Sequence, residues 1–109
     1  MHELALAESI VSAITERLGD ERVVTVRLRV GRLAAVMPDA LRFCFDVCAQ
    51  GTCAEGATVE IADVPGRATC RDCGASIELW DLLTPCSCGG MRLDVSGGED
   101  LAIEAVEVI

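Results

Sequence analysis

The chain has 109 residues, which allows one compact domain with at most one small appended module. Hydrophobic residues make up 51% of it and aromatics 3%, so the core must be built from Leu, Val, Ile and Ala, with Phe43 and Phe45 as local additions. A formal net charge of −9 argues against nucleic acid, which needs clustered Lys and Arg, and suits a cation or a basic protein partner.

The opening residues, Met1-His2-Glu3-Leu4, lack the basic stretch and apolar block of a signal peptide, and no apolar run reaches the ~20 residues that span a bilayer. Seven cysteines, an odd number with closely spaced pairs, read as metal binding in a reducing compartment rather than a disulfide framework. The expected location is the cytoplasm, without membrane contact.

Residues 4–18 carry Ala7, Ile10, Val11, Ile14 and Leu18 at helical spacing, and Gly19 is placed to end that helix. Over 23–30, Val24, Val26, Leu28 and Val30 alternate with Thr25, Arg27 and Arg29, the pattern of a half-buried strand. Pro38 fits the first turn of a second helix, with Asp39 near its positive end and Leu41, Cys44, Phe45 and Cys48 on one face. Val59 and Ile61 predict a short strand that stops at Pro65-Gly66. After it, Arg67 to Gly90 has few periodic apolar residues and should be held by metal rather than by a core.

The tail, with Leu93 and Val95, a turn at Gly97-Gly98 and alternating Leu101, Ile103 and Ala105, is too short and apolar to stand alone. Its place is in the sheet made by the earlier strands. The expected fold is therefore α/β (α+β): a small mixed sheet with two helices over residues 1–66 and 93–109, interrupted by a cysteine-rich insertion over 67–92.

Within the insertion, Cys70-Arg71-Asp72-Cys73-Gly74 is a knuckle that turns two sulfurs toward one ion. Cys86-Ser87-Cys88-Gly89 supplies a second pair, and the 12 residues between Cys73 and Cys86 leave room for a loop or hairpin. Four thiolates make a closed tetrahedral zinc site with no position for catalytic water, which can contribute about 10–16 kcal/mol to folding. A redox dithiol at Cys70 and Cys73 is the rival reading, disfavoured by the second pair at ribbon spacing. The one-residue spacer at Ser87, where two residues are usual, leaves the second knuckle's shape open. Cys44 and Cys48 coincide with an apolar stripe and read as small core residues, while Cys53 has no readable role.

His2 is the chain's one histidine. The Met1 amine, the His2 amide nitrogen and the His2 imidazole can close two small chelate rings around one ion, and Glu3 offers a further backbone nitrogen or a carboxylate. Nitrogen ligands in a square plane suit Ni²⁺ or Cu²⁺ without choosing between them. No Ser/His/Asp arrangement and no phosphate-cradling Gly-rich loop is present, so the chain does not read as an enzyme.

Met1-His2-Glu3-Leu4, Val30-Gly31, Pro38-Asp39-Ala40-Leu41-Arg42-Phe43, the paired cysteines and the tail from Ser96 to Glu107 together resemble the HypA nickel-incorporation proteins, along the whole chain and in order. That resemblance implies nickel held by His2 with Met1 and Glu3 as transferred cargo, and structural zinc held by Cys70, Cys73, Cys86 and Cys88. It implies a HypB-type GTPase and the NiFe-hydrogenase large subunit as partners, with urease served in some organisms. The Ser87 spacer departs from the family pattern, and no second histidine stands near the cysteines. A zinc-ribbon interaction adaptor that never handles nickel shares every feature except the terminus.

Overall fold

The computed structural model describes residues 2–109. Its elements are α1 (His2–Leu18), β1 (Val23–Gly31), a 3-10 turn (Arg32–Ala34), α2 (Pro38–Ala49), β2 (Thr58–Val64), β3 (Gly66–Cys70), β4 (Ser76–Leu79), β5 (Leu93–Gly97) and β6 (Leu101–Val108). The chain divides into two compact units. The first comprises 1–28, 36–62 and 103–109, the second 29–35 and 63–102, so the boundaries fall inside β1, β2 and β6.

In the first unit α1 packs on α2. Ala7, Ile10, Val11 and Ile14 of α1 are buried, as their spacing of three and four residues requires. Leu41, Phe45 and Ala49 are the buried positions of α2, four apart along one stripe. Cys44 and Cys48 lie at its margin and are half-buried. Phe43 departs from the sequence expectation: it is 69% exposed, because two residues along a helix turn a side chain about 200° from Phe45. Val23, Val26 and Leu28 of β1 and Val59 of β2 complete this core.

β1 is the central strand of a three-stranded sheet ordered β2-β1-β6, so the last part of the tail joins the earlier strands, while its first part, β5, pairs with β3 instead. Arg27 at mid-strand reaches Glu60 of β2 at 2.9 Å and Glu107 of β6 at 3.1 Å, and the hydrogen bond to Glu60, then the charges of both carboxylates, raise its pKa. β6 is an edge strand with no buried residue, and Ile103 stands exposed.

The second unit holds the larger departure. Its cysteine-rich segment is not a core-free loop: β4-β3-β5 form an antiparallel sheet, with Arg67 opposite Glu78 and Cys70 opposite Leu93. The register with β5 slips between Arg67 and Ala68, a bulge that leaves Ser96 unpaired. Ala68, Cys70 and Leu79 are buried. Leu33 and Leu79 both crowd Gly66, and a Cβ at Gly31 would land on the Gly98 carbonyl, so these backbones meet where only glycine fits. No helix among the described residues is long and apolar enough to cross a membrane.

Candidate metal centre

The four ribbon cysteines come from two knuckles. In the first, at the end of β3, the Cys70 N–H donates to Ala75 O at 2.9 Å and the Gly74 N–H to Cys70 O at 2.9 Å. In the second, the Cys86 N–H donates to Gly90 O at 2.9 Å and the Gly89 N–H to Cys86 O at 2.8 Å, while the Gly90 N–H reaches the Cys88 sulfur at 3.4 Å. Gly74 and Gly89 take φ of +76° and +88°, the left-handed turn each knuckle needs. The tight turn at Gly89-Gly90 absorbs the missing spacer residue, so both sulfurs still face the first pair.

All four sulfurs lie within 4.8 Å of one another. Cys70 and Cys88 are 3.7 Å apart, Cys73 and Cys86 3.5 Å. A tetrahedral ion with sulfurs at about 2.3 Å sets them about 3.8 Å apart, so the donor set and spacing fit zinc. Cys70 and Cys86 are buried while Cys73 and Cys88 are exposed, so the cluster is half wet. The thiols bias one another's protons. The Cys88 backbone N–H and the Cys73 thiol bring Cys86 down to about 7. For Cys73 the Ala75 N–H pulls downward, but hydrogen bonds with the Cys86, Cys88 and Cys70 thiols prevail and push it up to about 12.

Around the knuckles stands a shell that sequence reading missed. Arg71 Nε donates to Asp94 Oδ1 at 2.8 Å, and Arg92 Nε donates to Asp72 Oδ1 at 3.0 Å. These two ion pairs tie the residues that follow Cys70 to the start of β5, where the Arg71 N–H also donates to Arg92 O at 2.8 Å. The Asp94 carboxyl is held below its ordinary value by Arg71. The signal was in the sequence as Arg71-Asp72 and Arg92-x-Asp94, but it becomes readable only once β3 and β5 are known to pair.

At the other end of the chain, His2 is exposed on the first turn of α1. Glu3 is 7% exposed, and its Oε2 accepts a hydrogen bond from the Met37 N–H at 3.2 Å. That bond, then the residue's own N–H and the charge of His2, hold the carboxyl below its usual value. Met1 lies outside the described residues. Among the described residues, the four ribbon cysteines are the one cluster of three or more metal-ligating side chains; His2 and Glu3 do not converge with others. Burial, then Glu8 and Cys44 nearby, push the Cys48 thiol up, which suits a protonated packing residue.

A family model described as "Hydrogenase/urease nickel incorporation, metallochaperone, hypA" matches residues 1–108. The chain belongs to this HypA family. The hydrogenase maturation factor HypA of Nostoc punctiforme is 46% identical over 108 residues, covering 99% of this chain and 96% of its own. That of Rhodobacter capsulatus is 47% identical over 113 aligned positions, covering 100% of both. Among solved structures, the Ni metallochaperone HypA from Helicobacter pylori superposes with a TM-score of 0.67 over 100% of this chain and 98% of that one. At 16% identity the likeness carries the fold, two helices with small sheets and a cysteine ribbon.

Proposed function

We propose that this chain carries nickel to the large subunit of a NiFe-hydrogenase, with a HypB-type GTPase as its working partner, in the cytoplasm. The match to the nickel-incorporation family over residues 1–108 carries this reading. The Met1 amine, the His2 amide and imidazole and the Glu3 amide would take Ni²⁺ as cargo. Helix geometry supports that division: the first four N–H groups of an α-helix have no carbonyl four residues back, so α1 opens with backbone nitrogens free of the ladder. The positive end of α1 slightly disfavours a cation, which suits an ion held for transfer rather than for keeps.

Cys70, Cys73, Cys86 and Cys88 would hold structural zinc, whose chemistry when bound is to cross-link the two knuckles; four sulfur donors leave no open position for water. Residues 67–92 would then be the ribbon inserted in a nickel domain of 1–66 and 93–109, with β5 of the returning segment paired onto the ribbon's β3. A second reading, a zinc-ribbon adaptor without nickel, draws support from Trp80, Leu82 and Leu83, which stand exposed beyond β4. The Leu83 N–H donates to Asp81 Oδ1 at 2.8 Å in a turn that displays both leucines.

The test is a Ni²⁺ titration of zinc-loaded protein with its native amino terminus, beside His2→Ala. One equivalent bound by wild type and lost in the variant, with zinc retained, is expected. Equal binding by both proteins, or none by either, favours the adaptor.

A further inference from the structure

Glu3 is the buried charged side chain of the described residues, at 7% exposure. Burying a carboxylate costs free energy unless donors meet it. Beside the residue's own N–H, the donor that meets it is the backbone N–H of Met37, 3.2 Å away, and no buried polar side-chain atom among the described residues is left unpaired. Met37 is the N-cap of α2, and its own side chain makes no capping bond. Pro38 follows and has no N–H to offer. Asp39, the acidic residue in α2's first turn, is turned to solvent and paired with Arg42 at 3.3 Å. The positive end of α2 therefore receives its buried negative partner from α1, across 34 residues of sequence.

We infer that the Glu3 carboxylate is the positioning group of the nickel-binding terminus: it ties the first turn of α1 to the start of α2 and is not itself a nickel ligand. The inference rests on the terminal-site reading above and divides the labour of residue 3 between its parts. The backbone nitrogen would be the ligand atom. The side chain holds the chelate in place. A carboxylate that turned to the ion would abandon the Met37 N–H in a half-buried setting, exchanging one satisfied pair for an orphan donor. With the tie intact, part of the ordering that a loose tripeptide would undergo on wrapping an ion is already complete, which is worth about 10-fold in affinity.

The experiment compares wild type, Glu3→Gln, Glu3→Ala and Met37→Pro, all zinc-loaded with native amino termini. Nickel affinity is read by competition with a chelator, and the ligand set by the visible absorption of the nickel complex. Proline suits position 37, where φ is −87°, and it removes the donor without touching Glu3. Glu3→Ala and Met37→Pro are each expected to weaken nickel about 10-fold, with the absorption bands unmoved. Glu3→Gln keeps an acceptor oxygen and is expected to lose about 3-fold. Bands that shift in Glu3→Gln, with a loss as large as in Glu3→Ala, would make the carboxylate a ligand and overturn the inference. So would wild-type affinity in Met37→Pro.

Hydrogen exchange at the Met37 amide in nickel-free protein reads the tie without any metal: slow in wild type and fast in Glu3→Ala is expected, and fast exchange in wild type overturns it. Failure of the terminal site itself would show instead as unchanged nickel binding in His2→Ala.

Discussion

Gly90 has little room for a side chain. A Cβ there would meet Asp72 Oδ2 at 2.5 Å and the Cys88 sulfur at 3.2 Å, so Gly90→Ala pushes on a ligand and on the carboxylate that Arg92 holds. The expected cost is about 1–3 kcal/mol of ribbon stability, seen as faster zinc loss to a competing chelator. Phe43 and Phe45 make the opposite pair of cases. Phe45→Ala empties a fully buried site in a core poor in aromatics and should cost about 3–5 kcal/mol in urea unfolding, whereas Phe43→Ala, at an exposed position, should stay within about 0.5 kcal/mol. Composition named both phenylalanines as core material; the helical phase, which already puts Phe45 on one face with Leu41, separates them. The four cysteines were legible because ligand spacing is a local property. Their outer partners were not, because Arg71 meets Asp94 across 23 residues of sequence.

Among the elements, α1, β1 and α2 were readable from periodicity, since each has one buried face and one wet one. β3 and β4 were not. Their burial alternates over only five and four residues, with small side chains such as Ala68 inside, too little for a period to declare itself. The paired strands carry a pH consequence. Arg71 holds Asp94 below its ordinary value of 3.8, so the folded ribbon favours the ionised carboxylate. The pair's contribution is fully present above that value and fades as pH falls through the lowered one. Asp94→Asn should therefore lower the thermal midpoint slightly at neutral pH, and the gap to wild type should close on acidification below about 4. Both groups are exposed, so the gap should also shrink in high salt.

For the whole molecule, the two units rest on different supports. The first has Phe45, Leu41, Leu28, Ile14 and their neighbours as an apolar core, while the second buries few side chains beyond Ala68, Leu79 and two cysteines. Stripping zinc with a chelator under reducing conditions should therefore release amide protection over β3, β4 and β5 first, with α1 and α2 still protected in hydrogen exchange. Simultaneous loss everywhere would mean that the metal supports the helices as well. Such a division could be anticipated from the uneven distribution of apolar residues, but its boundaries could not, because three of the four fall within continuous strands.

Those boundaries bear on how such a molecule can change over generations. The backbone passes between the units four times, at 28/29, 35/36, 62/63 and 102/103. No single break frees one unit from the other. The cysteine ribbon can be lost or exchanged only as an internal replacement whose ends still match the strands on each side. Variation should accordingly accumulate inside it, in spacers such as Ser87, rather than at its joins.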